Sequence, residues 1–293
     1  MKIAILGASG LLGLKLMRIL SKNHEVVGTY LRNSSPELYP LDATDESKVE
    51  EFLIKHNPDI VIDTIALTSS VACEKDQELA KKYNYETAKN ISRACKKTGS
   101  YLVFISSSYI FDGEEGDYSE EDSSEPTNQY GKTKIMAEKE VLNMEKGIVL
   151  RIDILYGYNG KNYNNGILGN ILSNKDIFVG NSEQIRQPLF VDDIVEIILS
   201  LVVRKQSGIF NVAGPDKISM LDFMRRLEKL MRRKSKIHIL KEKELLVKPL
   251  KNSTLDTSKI QTFNVKIHSF EDGLEKIKIQ MRTKKNNQKL ILH

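Results

Sequence analysis

Near its start the chain passes from the apolar run Lys2-Ile3-Ala4-Ile5-Leu6 directly into Gly7-Ala8-Ser9-Gly10-Leu11-Leu12-Gly13. No other feature constrains the fold as strongly. Glycines allow a tight turn and a close approach of backbone to a pyrophosphate, and the helix that follows offers its N-terminal N–H groups to the anion. Short glycine patterns also occur in ordinary loops, so the weight lies in the position directly after an N-terminal strand. Gly7, Ser9, Gly10, Leu11, Leu12 and Gly13 are the expected cradle of a dinucleotide.

The chain that follows alternates short apolar runs with longer amphipathic stretches, as repeated βαβ units do. Strands are expected at Lys2 to Leu6, Glu25 to Tyr30, Ile60 to Thr64, Tyr101 to Ser106 and Ile148 to Ile152. Several are apolar throughout, which suits strands covered on both faces. Helices are expected at Leu11 to Ser21, Asp45 to His56, Gln77 to Thr98, ended by Gly99, and Tyr130 to Asn143. The pattern loosens through the Gly/Asn-rich Tyr158 to Gly169, then resumes with a helix at Asp192 to Val203 and a strand at Gly208 to Ala213. Later helices fall at Met220 to Arg232 and Phe270 to Lys278. The fold class is α/β, a doubly wound parallel sheet with a smaller discontinuous C-terminal substrate lobe. Residues 1–157 and 190–214 form the nucleotide-binding domain in this reading. Residues 158–189 and 215–280 form the lobe, and 281–293 a basic tail that is loose or docked on a neighbour.

Composition narrows the class of protein. No stretch among the 293 residues approaches the roughly 20 apolar residues of a membrane span, so no membrane partner is expected. The glycine turn comes too early to leave room for a signal peptide, and a cytoplasmic location is expected. Cys73 and Cys95 form no disulfide framework and no metal-ligand cluster. The net charge of +5 collects late, in Arg225-Arg226, Arg232-Arg233-Lys234 and the tail, without interleaved aromatics. That pattern reads as solvated faces, and no nucleic-acid partner is expected.

Cofactor choice turns on the end of the second strand, where an acidic residue would grip the ribose hydroxyls of NAD and repel a 2′-phosphate. The sequence there is Gly28-Thr29-Tyr30-Leu31-Arg32, with no acid. Arg32 offers a planar cation to that phosphate, so NADP(H) is favoured and NAD(H) remains compatible. Asp42 is placed to approach the adenine, although a turn or helix-cap role suits it nearly as well. Ala43, Ile65 and Ala66 complete the expected cofactor contacts.

Tyr130-Gly131-Lys132-Thr133-Lys134 places a tyrosine and a lysine one helical turn apart on the same face. A phenol is a poor acid near neutrality, and a nearby ammonium is expected to lower its pKa. Tyr130 then serves as general acid, while Lys134 also holds the nicotinamide ribose. Ser106-Ser107-Ser108 follows the strand Tyr101 to Ile105 and so falls at its C-terminal edge, where ligands bind in open α/β sheets. A serine there can polarise a substrate carbonyl. No metal is needed for such chemistry.

At this point the residues resemble the extended short-chain dehydrogenase/reductases, and more narrowly the dTDP-4-dehydrorhamnose reductase family. Ser106-Ser107-Ser108-Tyr109-Ile110-Phe111-Asp112-Gly113 is similar to the family's S-T-D-Y-V-F-D-G, which puts Ser107 in the place of its catalytic threonine or serine. Tyr130 and Lys134 match its YxxxK. Leu150-Arg151 with Tyr156-Gly157 resembles L-R-x-x-x-x-Y-G, and the segment from Lys248-Pro249 to Leu255-Asp256-Thr257-Ser258-Lys259 resembles the late R-P-x-x-S-x-L-D-x-S-K signature. Thr68-Ser69-Ser70-Val71-Ala72 departs from the family's T-x-V-D-type stretch, and Ile154 stands where an aromatic residue often lies near the sugar.

The resemblance implies NADPH-dependent reduction of the 4-keto group of a nucleotide-linked 6-deoxyhexose, in deoxysugar biosynthesis for a glycan. Thr68, Ser108, Tyr109 and Arg186 are the implied substrate contacts. Arg186 has two readings, a diphosphate contact or a pair with Asp192 or Asp193. A homodimer is common for the family. Two other uses of the fold remain open: nucleotide-sugar epimerisation or dehydration, and a non-catalytic NADP-binding regulatory role like that of the methionine adenosyltransferase β subunit.

Overall fold

The computed structural model describes residues 1–158, 176–180, 182–232, 234, 236–240 and 244–290. Strand β1 (Lys2–Leu6) leads into helix α1 (Leu11–Leu20), β2 (Glu25–Tyr30), β3 (Leu38–Pro40), α2 (Glu46–His56) and β4 (Ile60–Asp63). There follow α3 (Ser70–Lys75), α4 (Gln77–Lys81), a π-helical turn (Lys82–Glu86), α5 (Thr87–Thr98) and β5 (Tyr101–Ser107). A 3-10 turn (Ser108–Ile110), α6 (Gln129–Leu142) and β6 (Gly147–Ile152) complete the part that carries the site. With β11 (Gly208–Val212) these strands make a seven-stranded sheet in the order β11-β6-β5-β4-β1-β2-β3, every pair parallel. The expected doubly wound α/β architecture is what the chain adopts.

Alternation along the strands sorts the core into two layers, because successive side chains point to opposite faces of a sheet. Ile3, Ile5, Ile60, Ile62 and Val103 pack on one face with Leu12, Leu16 and Leu20 of α1 and with Ile194, Ile197 and Leu201 of α7 (Asp193–Val203). Ala4, Leu6, Val61, Leu102 and Phe104 pack on the other with Phe52 and Leu53 of α2, Ile91 and Cys95 of α5, and Ala137 and Val141 of α6. All four residues of β4 and all six of β6 are buried, which is why those runs carry almost no polar residues. Helix ends follow local chemistry. The Asp45 carboxylate accepts the Lys48 N–H at the start of α2, the Asn128 side chain accepts that of Gly131 at the start of α6, and Gly99 takes the left-handed conformation (φ 72°) that ends α5.

The lobe gathers short strand pairs: β7 (Ile154–Tyr156) with β10 (Pro188–Phe190), β9 (Ile185–Arg186) with β12 (Ile218–Ser219), and β8 (Ile177–Val179) with β13 (Ile237–Ile239). Phe223 and Leu227 of α8 (Met220–Met231) and Phe270 and Ile277 of α10 (Phe270–Leu290) form its core with Tyr156 and Phe190. A short helix α9 (Ser258–Gln261) lies between them in sequence.

The fold corrects two sequence expectations, for the helix from Gln77 and for the last helix, and adds a strand that was not expected. The stretch expected as one helix from Gln77 to Thr98 is interrupted by the π-helical turn, with α3 added before it. The Tyr39-Pro40 run forms an edge strand against β2, a place where proline's missing N–H goes unused. The last helix does not stop at Lys278 but continues through the basic segment to Leu290, and Gln280 hydrogen-bonds Lys15 and Asp192. Most of the Gly/Asn-rich segment Tyr158 to Gly169, and Ile291-Leu292 of the tail, lie outside the described residues.

Candidate active site

The chain runs outward from β1 to β2 and β3 on one side, then crosses to β4, β5 and β6 on the other, so the sheet has its switch point between β1 and β4. A groove opens there at the C-terminal edge. Gly7, Ser9 and Gly10 line its floor, with Arg32, Asp42, Ala43, Ile65 and Ala66 along its walls. Leu11, Leu12 and Gly13 do not line the groove; Leu12 and Gly13 are buried on α1. Gly13 still has a clear reason to be glycine. A Cβ there would lie 2.5 Å from the Ala8 Cα and 2.8 Å from the Gly7 carbonyl oxygen, so any side chain would push α1 off the turn. A cradle shaped by such a close approach, open to solvent and free of acid at the end of β2, fits a dinucleotide with a 2′-phosphate.

Arg32 is exposed at the rim, where its guanidinium donates to the Tyr83 hydroxyl at 3.4 Å and lies 5.7 Å from that ring's centroid. Asp42 accepts from the Thr44 N–H (3.0 Å) and hydroxyl (2.7 Å), which is the turn role. It lines the groove nonetheless. Sequence reasoning missed Tyr83 and Thr87, which also line the groove, and the buried Asn84 near them. Asn84 Oδ1 accepts the Leu67 N–H at 2.7 Å, and its Nδ2 donates to the Thr133 hydroxyl at 3.1 Å and the Leu67 carbonyl at 3.3 Å. It thereby ties the loop after β4 to the helix that carries Tyr130. Tyr83 and Asn84 lie within the π-helical turn, which buries Asn84, and π-turns cluster at functional sites. In sequence they fall inside the helix expected from Gln77 to Thr98, and nothing local marks them.

Beyond the groove, β5 and α6 bring Ser107, Tyr130 and Lys134 together. Gly131 is the reason α6 comes so near. A Cβ there would sit 2.0 Å from the Tyr109 carbonyl oxygen. The Tyr130 phenol lies near enough to Ser107 for that side chain to bear on its pKa, the Ser107 hydroxyl accepts the Tyr109 N–H at 3.2 Å, and the Tyr109 and Tyr130 rings meet edge to face at 5.8 Å. The neighbouring serines are committed elsewhere. Ser106 hydrogen-bonds Glu138, which is forked on Arg151 at 2.9 Å. Ser108 donates to Asp153 at 2.9 Å and is fully buried. Only Ser107 of the three faces the tyrosine.

Electrostatics corrects one expectation. Burial pushes the Tyr130 phenol up to about 12, with the Ser107 side chain opposing that rise, so Lys134 does not produce the expected lowering. The ammonium of Lys134 instead lies over the Phe104 ring, 4.0 Å from its centroid. Burial brings it down to about 8, against the raising influence of Asp63, Glu138 and Cys73. Lys134, not Tyr130, is the group poised to titrate in the working range.

The implied substrate contacts divide. Thr68 is exposed just outside the groove lining. Arg186 is buried, and its partner is Asp153, not Asp192 or Asp193: Nε donates at 3.1 Å and the terminal nitrogen lies 2.6 Å from the other carboxylate oxygen. Its remaining terminal nitrogen donates to the Tyr109 hydroxyl at 3.3 Å. The late segment closes the same region from below. Lys248 and Lys251 both reach Glu114, Ser253 donates to Asp153 at 2.8 Å, and the Leu255 N–H donates to the Gln187 side chain at 2.8 Å. Lys259 Nζ caps the Ile209 carbonyl of β11 at 2.7 Å. This segment fastens the lobe and the 113–118 loop to the sheet.

Fold and site together define a Rossmann-type oxidoreductase of the short-chain dehydrogenase/reductase kind. A model of the RmlD substrate binding domain matches residues 1–282, and the chain belongs to that family. The β subunit of methionine adenosyltransferase 2 from Xenopus laevis is 30% identical over 227 residues, 73% of this chain and 67% of the relative. The bovine β subunit is 33% identical over 158 residues, and the match spans about half of its length (47%). The dTDP-4-keto-6-deoxy-D-glucose reductase of Streptomyces niveus is 28% identical over 78% of this chain and 77% of its own. Among solved structures, dTDP-4-dehydrorhamnose reductase from Bacillus anthracis in complex with NADP superposes with a TM-score of 0.82 at 25% identity, covering 95% of this chain and 99% of that one.

Proposed function

We propose that the protein uses NADPH to reduce the 4-keto group of a nucleotide-linked 6-deoxyhexose. The observation that carries this reading is the convergence of Ser107, Tyr130 and Lys134 beside a dinucleotide groove with Arg32 on its rim. The Streptomyces niveus and Bacillus anthracis relatives, named for reductases of this substrate class, support it. Gly7, Ser9 and Gly10 would hold the pyrophosphate, Arg32 the 2′-phosphate and Lys134 the nicotinamide ribose. NAD(H) also fits the groove with the Arg32 contact unused.

When bound, the reduced nicotinamide supplies a hydride to the carbonyl carbon. The chain's own groups manage the oxygen. Ser107 donates to it and fixes its direction, and Tyr130 delivers the proton that converts the developing alkoxide to a hydroxyl. A phenol near pKa 12 is fully protonated at neutral pH and is thus ready as an acid. It becomes competent to give up that proton only as charge builds on the oxygen beside it.

The test is oxidation of NADPH followed at 340 nm with a dTDP-linked 4-keto-6-deoxyhexose, wild type against Tyr130→Phe, with NADH in parallel. Turnover by wild type that falls at least about a hundredfold in Tyr130→Phe, the usual worth of a general acid, supports the reading. The similarity to methionine adenosyltransferase 2 β subunits over about three quarters of the chain favours a second reading, a nucleotide-binding regulatory subunit. Tight NADPH binding without turnover on any nucleotide-linked keto sugar would favour it over the first.

A further inference from the structure

Asp63 takes no part in the chemistry above, yet it is the last residue of β4 and only 1% exposed. One carboxylate oxygen accepts the Ile65 N–H at 2.9 Å and so shapes the turn that walls the cofactor groove. The other oxygen is buried with no hydrogen-bond partner among the described residues. A carboxylate left in that condition is costly unless a nearby charge balances it. Asp63 is the register partner of Phe104, so the two side chains leave the same face of the sheet, and the Phe104 ring carries the Lys134 ammonium.

The other groups around Lys134 are already committed or neutral. Glu138, on its own helix, is engaged by Arg151 and Ser106. Cys73 on α3 is a buried thiol whose pKa burial raises, and Tyr130 is a protonated phenol. On the far side of Asp63, Cys95 on α5 is likewise held as a thiol by burial. Of the described acids that act on Lys134, Asp63 and Glu138, it is Asp63 that has an unfilled oxygen.

We propose that Asp63 is the counter-ion of Lys134, a positioning residue whose charge keeps the ammonium protonated and seated at the ribose edge of the groove. Burial raises the Asp63 carboxyl to about 6 and lowers Lys134 to about 8, so both are charged at neutral pH. Loss of the carboxylate charge leaves the burial cost of Lys134 less opposed, and the lysine gives up its proton at lower pH. This inference rests on the cofactor part of the proposed function and not on the sugar.

Asp63→Asn is the variant of choice, because its amide oxygen can still accept the Ile65 N–H. NADPH binding, read by cofactor fluorescence on either side of pH 8, should weaken in wild type as Lys134 deprotonates. In Asp63→Asn the weakening should move down by about one pH unit, the low end of what an opposite charge at short range produces. Lys134→Met should lose this pH dependence and make the Asp63 substitution silent within it. Superimposable wild-type and Asp63→Asn profiles, or a loss of binding equal at every pH, overturn the proposal. Should Asp63→Asn fail to fold, the proposal is still overturned if the alkaline weakening persists in Lys134→Met. A protein that shows the shift yet reduces no keto sugar refutes the substrate reading alone.

Discussion

Asp153→Ala should be among the most destabilising single changes in the protein. The Asp153 side chain is fully buried and accepts from five donors: Ser108, Ser253, the Gln187 N–H and two nitrogens of Arg186. Alanine leaves a guanidinium whose side chain is only 7% exposed without its anion, and strands the other donors with it. Removing one member of a buried pair costs about 3–5 kcal/mol, much of it the penalty of the abandoned charge. At about 2–4 °C per kcal/mol for a chain of this size class, the midpoint should fall by roughly 10 °C. Urea denaturation should show a lower midpoint with an unchanged slope. The reasoning also fixes the double variant. Arg186→Met with Asp153→Ala removes the charge as well as its partner, so the pair should be less destabilised than the sum of the singles by at least about 2 kcal/mol. Strictly additive losses, or an Asp153→Ala cost below about 1 kcal/mol, would refute the claim that the network is a buried charge pair.

Arg32→Ala should weaken NADPH binding about tenfold or more, the worth of a charged hydrogen bond, and leave NADH binding unchanged; calorimetry with both cofactors checks this. Gly131→Ala should force α6 away from the Tyr109 carbonyl and depress kcat well beyond any change in NADPH affinity, as steady-state kinetics beside binding titrations would show. The kcat/KM profile should fall on its alkaline side near pH 8, where Lys134 loses its proton, and not near the much higher value of Tyr130. An alkaline limb absent below pH 10 in a buffered pH series would refute a role for the Lys134 charge in turnover.

The parts of the site that lie close in sequence were legible there. The glycine turn follows β1 without a gap, Tyr130 and Lys134 are spaced by one helical turn, and Arg32 stands just past β2. Each is a relation between near neighbours, set by helix or strand period. The choice of the middle serine as the candidate rested on resemblance to S-T-D-Y-V-F-D-G alone, since three adjacent serines are equivalent in composition. Strand alternation and the positions of Glu138 and Asp153 separate them in the fold. Tyr83 and Asn84 escaped because a π-turn changes which residues of a helix face inward, and no residue type announces it.

The sequence by itself determined the α/β order, the cofactor cradle and the Tyr/Lys pair, because periodicity and short-range spacing act within one or two elements. Tertiary structure alone decided the electrical state of the site. Whether Tyr130 is lowered by Lys134 or raised by burial depends on which surfaces cover the phenol, and Phe104 holds the ammonium aside. Arg186 likewise found its anion 33 residues away, at Asp153 and not at the acids beside it. Desolvation and long-range pairing are properties of what the folded chain packs around a group, and that is not written in the group's own neighbourhood.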